Sequence, residues 1–268
     1  MKSLQRVKQF WQKEGTQNAY RALKEIAKNE PYKMPWWLIT TVSSASSFED
    51  HPILGNPTLN ALGLHEARVK WAAKLAQKRR QKLARYLSVE DVEFFEKNGY
   101  ICKENFLNDT DFNALKNEIL NHSLPTRETL QGDTVTRRMA LDFRTLPNLP
   151  HTKSLFESAH WQNLINYVGS FKVAPMYYVQ VIISHVRKAR PDPQTSLHSD
   201  TFHSSMKAWL FLTDVKEDEG PFVYVPGSHV LNDQRLAWER QRVLNIKNNP
   251  WRKVGSRLAT DPAQITSK

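Results

Sequence analysis

The chain has 268 residues, 40% of them hydrophobic, with a mean hydropathy of -0.59. No stretch approaches the roughly 18 apolar residues of a membrane-spanning helix, and a single cysteine, Cys102, excludes an internal disulfide framework. The net charge of +11 is concentrated, with 16 Lys/Arg against 6 Asp/Glu in residues 1–88 and 22 against 21 in the rest.

Two regions of such different charge imply two functional parts, and with no signal-peptide pattern at the start a reducing cytoplasm is expected. Residues 2–29 read as a helix, with Leu4, Val7, Phe10 and Trp11 at helical spacing and Pro31 stopping it. Residues 34–42 form a short apolar segment with paired tryptophans, Trp36 and Trp37; 43–47 and 51–60 read as loop. A second helix is predicted over about 64–87, carrying Arg68, Lys70, Lys74, Lys78, Arg79, Arg80, Lys82 and Arg85. One use is a solvated basic helix whose Leu64, Trp71, Leu75 and Leu83 pack on the main domain. Another is peripheral contact with an anionic membrane, because tryptophans favour the interface and each basic residue near acidic lipid contributes about 1 kcal/mol. Nucleic acid is disfavoured, since basic charge suits phosphate but no DNA- or RNA-binding motif is visible.

Ser88, followed by Glu90 and Asp91, predicts a helix start; Val92 and Phe95 give that helix a buried face, and Asn98-Gly99 ends it. Residues 100–107 read as a strand, and Asn108-Asp109 opens a helix over about 110–121. Residues 125–150 read mostly as loop with strand-like pieces, and a helix is predicted near 154–168. The strongest β signal lies in 176–186, where Tyr177, Val179, Val181 and Ile183 alternate with Tyr178, Gln180 and Ile182. A polar loop, 187–196, follows. Residues 206–215 and 222–225 are two more expected strands with a turn at 218–221, and a helix follows over about 232–246.

Between these elements stands His198-Ser199-Asp200. On an extended backbone side chains repeat every two residues, so the imidazole and the carboxylate share one side. They are two of the three ligands of the 2-His-1-carboxylate triad that binds non-haem Fe(II). An ordinary strand-edge pair is the plain alternative. His185 reads as a structural or exposed residue, and His203, five residues beyond His198, as a substrate-side or surface one.

Three stretches together resemble the phytanoyl-CoA dioxygenase family of Fe(II)- and 2-oxoglutarate-dependent oxygenases. They are Phe94 to Tyr100 leading to Asn105-Phe106-Leu107, the His198/Asp200 pair, and Ala208-Trp209 through Pro226-Gly227-Ser228-His229. The resemblance covers about residues 88–240. It implies a mainly β fold with flanking helices, a double-stranded β-helix (jelly roll), in a domain over 88–268 preceded by a basic helical extension, 1–87. It also implies Fe(II) held by His198 and Asp200, 2-oxoglutarate as cosubstrate, Trp209 bordering the cosubstrate pocket and Gln180 contacting it, with a cross-strand hydrogen bond as the equal alternative for Gln180. The expected reaction is hydroxylation of a small or lipid-linked substrate, with peripheral membrane contact through residues 1–87.

The distal histidine of the triad is the difficulty. A jelly roll places it roughly 40–60 residues after the H-x-D pair, but residues 230–268 contain no His. The expectation is that the last strands are missing from the chain as given, which leaves open sheet edges. His229 is a weak substitute: Arg240 follows it at a tempting spacing for a cosubstrate anchor, but the intervening residues read as helix. The rival function is therefore an inactive or truncated family member serving as a binding module at an anionic membrane. A third is a jelly-roll metal protein that does not use 2-oxoglutarate.

Overall fold

Helices dominate the computed structural model, which describes residues 13–43, 51–172, 174–195 and 197–244: nine α-helices and three strands are present among the described residues. The expectation of a mainly β fold is corrected, and no jelly roll is established. The described residues group into two units. The first takes residues up to 78 with 197–205 and 225–244; the second takes 79–195 with 206–224. The predicted helix over 2–29 is seen as α1, Lys13–Asn29, its earlier residues lying outside those described.

In the first unit the Trp-bearing segment is a helix, α2, Met34–Thr41. The segment read as loop over 51–60 holds a short helix, α3, Pro57–Ala61, because Asn56 caps it by accepting from the Leu59 amide at 3.0 Å. The long basic helix is α4, Leu64–Leu83, whose residues to 78 belong to this unit and whose last five belong to the second. Val69 and Ala76 are buried, seven residues apart, whereas Trp71 is 55% exposed and does not pack as expected. Trp71, Lys74, Lys78 and Lys82 share the outward face. Several arginines counted as surface charge turn inward: Arg68 donates from Nε to the Thr41 carbonyl (2.8 Å) and from Nη2 to that of Ser43 (3.0 Å). The unit is closed by α9, Asp233–Leu244, which begins after Asn232.

In the second unit, α5 (Val89–Asn98) starts where the Ser88 hydroxyl accepts from the Asp91 amide and ends at Gly99 with φ +84°. Phe95, Tyr167 and Leu83 form a buried cluster with Leu87, Val92, Ile101 and Val168 around it. Asn108 caps α6, Asp109–Asn121. Glu118 of α6 then serves α7, Pro150–Glu157, accepting from the His151 amide (2.9 Å) and the Thr152 amide (2.8 Å), because Leu149 at the cap position has no acceptor. The single helix expected near 154–168 is broken at Ser158, which caps α8, Ala159–Gly169. The last carbonyls of α8 are met by Arg80 (to Tyr167 and Val168) and Arg79 (to Ser170).

The sheet has three antiparallel strands in the order β1 (Thr126–Gln131), β2 (Thr134–Ala140), β3 (Tyr178–Ile183). Gln131 faces Thr134 across a two-residue turn, and Arg138 faces Gln180. Residues 100–107, 206–215 and 222–225 form no ladder. After Gly99, Tyr100 turns onto Phe94 and Tyr224 (centroids 5.4 and 5.2 Å away), and Asn105 adopts φ +50°, which interrupts an extended run. Alternation in 206–215 assigns faces, but a strand also needs a second segment in register to take its N–H and C=O groups.

Candidate metal centre

The H-x-D segment lies in the first unit. Nε2 of His198 is 3.3 Å from Oδ1 of Asp200, with side chains 16% and 33% exposed. Two donors about 2.1 Å from one ion and at right angles are about 3 Å apart, so the observed spacing suits two adjacent positions on a single metal. An imidazole nitrogen and a carboxylate oxygen are also the donor types of a non-haem iron site. The fit extends to this pair only: among the described residues no group of three His, Cys, Asp or Glu side chains is placed to hold a metal. His229 sits half-buried in the same unit, on a turn where Gly227 has φ +76°.

Around the pair is a buried ionic frame. Glu239 of α9 is fully buried and meets His65 of α4, Nε2 to Oε2 at 2.9 Å. An ionised carboxylate only accepts, so this histidine nitrogen carries the proton. Arg235 donates to Glu239 Oε1 from Nη2 (2.9 Å) and Nε (3.2 Å), and Arg242 lies 3.7 Å from Oε2. Burial pushes the Glu239 carboxyl up, but the His65 hydrogen bond and the two guanidinium charges outweigh it and hold the carboxyl below its ordinary value. Burial holds His65 below its ordinary value against the pull of Glu239, and it brings Arg68 down to about 10, leaving Arg68 cationic at neutral pH.

This frame touches the H-x-D segment directly. Arg235 Nη2 donates to the Ser199 hydroxyl at 3.1 Å. Phe202 meets the His65 ring edge-on (5.4 Å) and lies under the Arg68 guanidinium (4.6 Å). Arg240 is engaged elsewhere, donating to the Ala61 carbonyl at 2.8 Å and pairing with Glu66.

A family model described as Phytanoyl-CoA dioxygenase (PhyH) matches residues 95–260, well over half the chain. The chain belongs to the phytanoyl-CoA dioxygenase family. No curated protein and no solved structure matched it. The family region takes in His198, Asp200 and the three-stranded sheet and leaves residues 1–94 outside.

The other two predicted residues of this phytanoyl-CoA dioxygenase family member lie in the second unit. Gln180 is on β3 and accepts from Arg138 Nε at 3.3 Å. Trp209 is 43% exposed and packs on Phe222, centroids 4.3 Å apart. A recess of about 580 Å³ in that unit, lined by Phe143, Phe156, Gln162, Lys172 and Tyr177 among others, contains none of the predicted residues. No helix among the described residues is long and apolar enough to cross a membrane. Sequence reasoning missed His65, Arg235, Glu239 and Arg242. Part of the signal was present: Arg235/Glu239 and Glu239/Arg242 stand four and three apart on a predicted helix, where opposite charges meet. His65, 174 positions from Glu239, had none.

Proposed function

We propose that the chain is an Fe(II)- and 2-oxoglutarate-dependent oxygenase that hydroxylates a small or lipid-linked substrate. His198 and Asp200 are its metal-binding pair. The observation that carries this reading is the 3.3 Å approach of an imidazole nitrogen to a carboxylate oxygen in a member of this family. Iron and cosubstrate, when bound, couple the decarboxylation of 2-oxoglutarate to oxygen insertion into a C–H bond. The protein's part is to present one imidazole nitrogen and one carboxylate oxygen side by side, partly withdrawn from water. Trp209 and Gln180 remain the cosubstrate contacts that the family pattern implies. Anaerobic titration with Fe(II), paired with a succinate assay in air, tests the reading. His198→Ala and Asp200→Ala are each expected to weaken metal binding beyond the roughly 10- to 100-fold that outer partners are worth, and to end succinate formation. Unchanged turnover in either variant rules the assignment out.

A second reading, peripheral contact with an anionic membrane through residues 1–87, is favoured by the surface of α2 and the residues flanking it. Tyr32, Trp36, Ile39 and Val42 are exposed by 74, 70, 59 and 76%, and Lys74 and Lys78 are exposed on α4 of the same unit. Wild-type protein is expected to sediment with phosphatidylserine-containing vesicles, and Trp36→Ala to reduce this several-fold. Equal sedimentation with pure phosphatidylcholine would sink it.

A further inference from the structure

On an extended H-x-D backbone the middle residue faces away from the two ligands, so its side chain is available to the surrounding protein. Here that residue is Ser199. A hydroxyl has one proton, and the Ser199 proton is committed: Oγ donates to the Thr201 carbonyl at 3.1 Å. What Arg235 Nη2 meets at 3.1 Å is therefore the oxygen's lone pair. The relay from guanidinium to hydroxyl to carbonyl spans residues 199 to 201 and brackets Asp200 on both sides.

Arg235 is itself fixed. Its Nη2 and Nε grip Glu239, its own amide donates to the Asn232 side chain at 2.8 Å, and its guanidinium lies 4.8 Å from the Trp238 ring. Its Nη1 donates to the Ser228 carbonyl at 3.3 Å, next to His229. One planar group thus holds the segment of the predicted ligands and the Gly227–His229 turn in a single register.

We infer that Arg235 is the positioning residue of the His198/Asp200 pair and acts through the Ser199 hydroxyl. This rests on the metal reading above. A guanidinium presents donors in a rigid fork that an ammonium lacks, so Arg235→Lys keeps the charge beside Glu239 but loses the simultaneous reach to Ser199 and Ser228. Ser199→Ala removes the acceptor while leaving the Arg235–Glu239 ion pair in place.

The test is anaerobic titration of the full chain with Co(II), read by its visible absorption, alongside thermal unfolding without metal. Ser199→Ala is expected to bind Co(II) about 10- to 100-fold more weakly with an unchanged unfolding midpoint. Ser199→Thr, which keeps the hydroxyl, is expected to restore affinity. Arg235→Lys is expected to weaken binding similarly, and the double variant Ser199→Ala/Arg235→Lys to be no weaker than the worse single one. Wild-type affinity in Ser199→Ala, or equal impairment in Ser199→Ala and Ser199→Thr, overturns the inference while leaving the metal reading intact. A wild-type chain that takes up no Co(II), or His198→Ala binding as well as wild type, overturns both.

Discussion

The first unit holds two histidine–carboxylate pairs of nearly the same composition, and their surroundings divide them. His65 and Glu239 meet at 2.9 Å, almost wholly buried, with two arginines completing the shell of the carboxylate. His198 and Asp200 meet at 3.3 Å and keep part of their surface open. A buried carboxylate surrounded by cations is committed to the framework, because any exchange of partner strands a charge away from water. A partly open pair can be reached by something that arrives from solution. Burial, more than residue type, separates the structural pair from the candidate site.

Removing one carboxylate from each pair is expected to have very different consequences. Glu239→Ala leaves Arg235 and Arg242 as uncompensated buried charges, and loss of one partner from a buried ion pair costs about 3–5 kcal/mol. Asp200→Ala removes a third-exposed side chain, and the expected loss of stability is under about 1 kcal/mol. Urea unfolding monitored by tryptophan fluorescence reads both. If the two variants lose equal stability, the division into framework and site is wrong.

What the residues reveal by themselves is local. Ser88, Asn108 and Gly99 act through hydrogen bonds within three or four residues, so their caps and stop are legible in the sequence. The positions of α4 and α9 follow from periodicity for the same reason. The H-x-D spacing is legible because residues two apart in the chain are near enough for His198 and Asp200 to meet. The strands expected at 206–215 and 222–225 are a different case, since pairing depends on a partner that the alternation of Leu210 and Leu212 does not specify. Nor is the direction of charge legible: Arg68, Arg79 and Arg80 are indistinguishable in composition from Lys74 and Lys78, yet they serve backbone carbonyls. The His65–Glu239 link joins the basic extension to the family region across 174 positions, and no pattern within either segment announces it.

A smaller effect follows from the titration of the buried pair. His65 is held below its ordinary value of 6.5 by burial, which outweighs the raising effect of Glu239 and is reinforced by the nearby charges of Arg242 and Arg68. Between its folded value and 6.5 the unfolded chain binds a proton that the folded chain does not, so stability falls as pH drops through 6.5. Glu239, held below its ordinary 4.5, adds stability that is present above 4.5 and lost further down. Both groups therefore make acid destabilising, and the histidine acts first. The unfolding midpoint is expected to fall between pH 7.5 and 5.5, and His65→Gln, whose amide can still donate to Glu239, is expected to flatten that slope. A residual slope will remain from His51, which burial also holds low. A His65→Gln variant with the full wild-type pH dependence would mean that the acid sensitivity lies outside the frame.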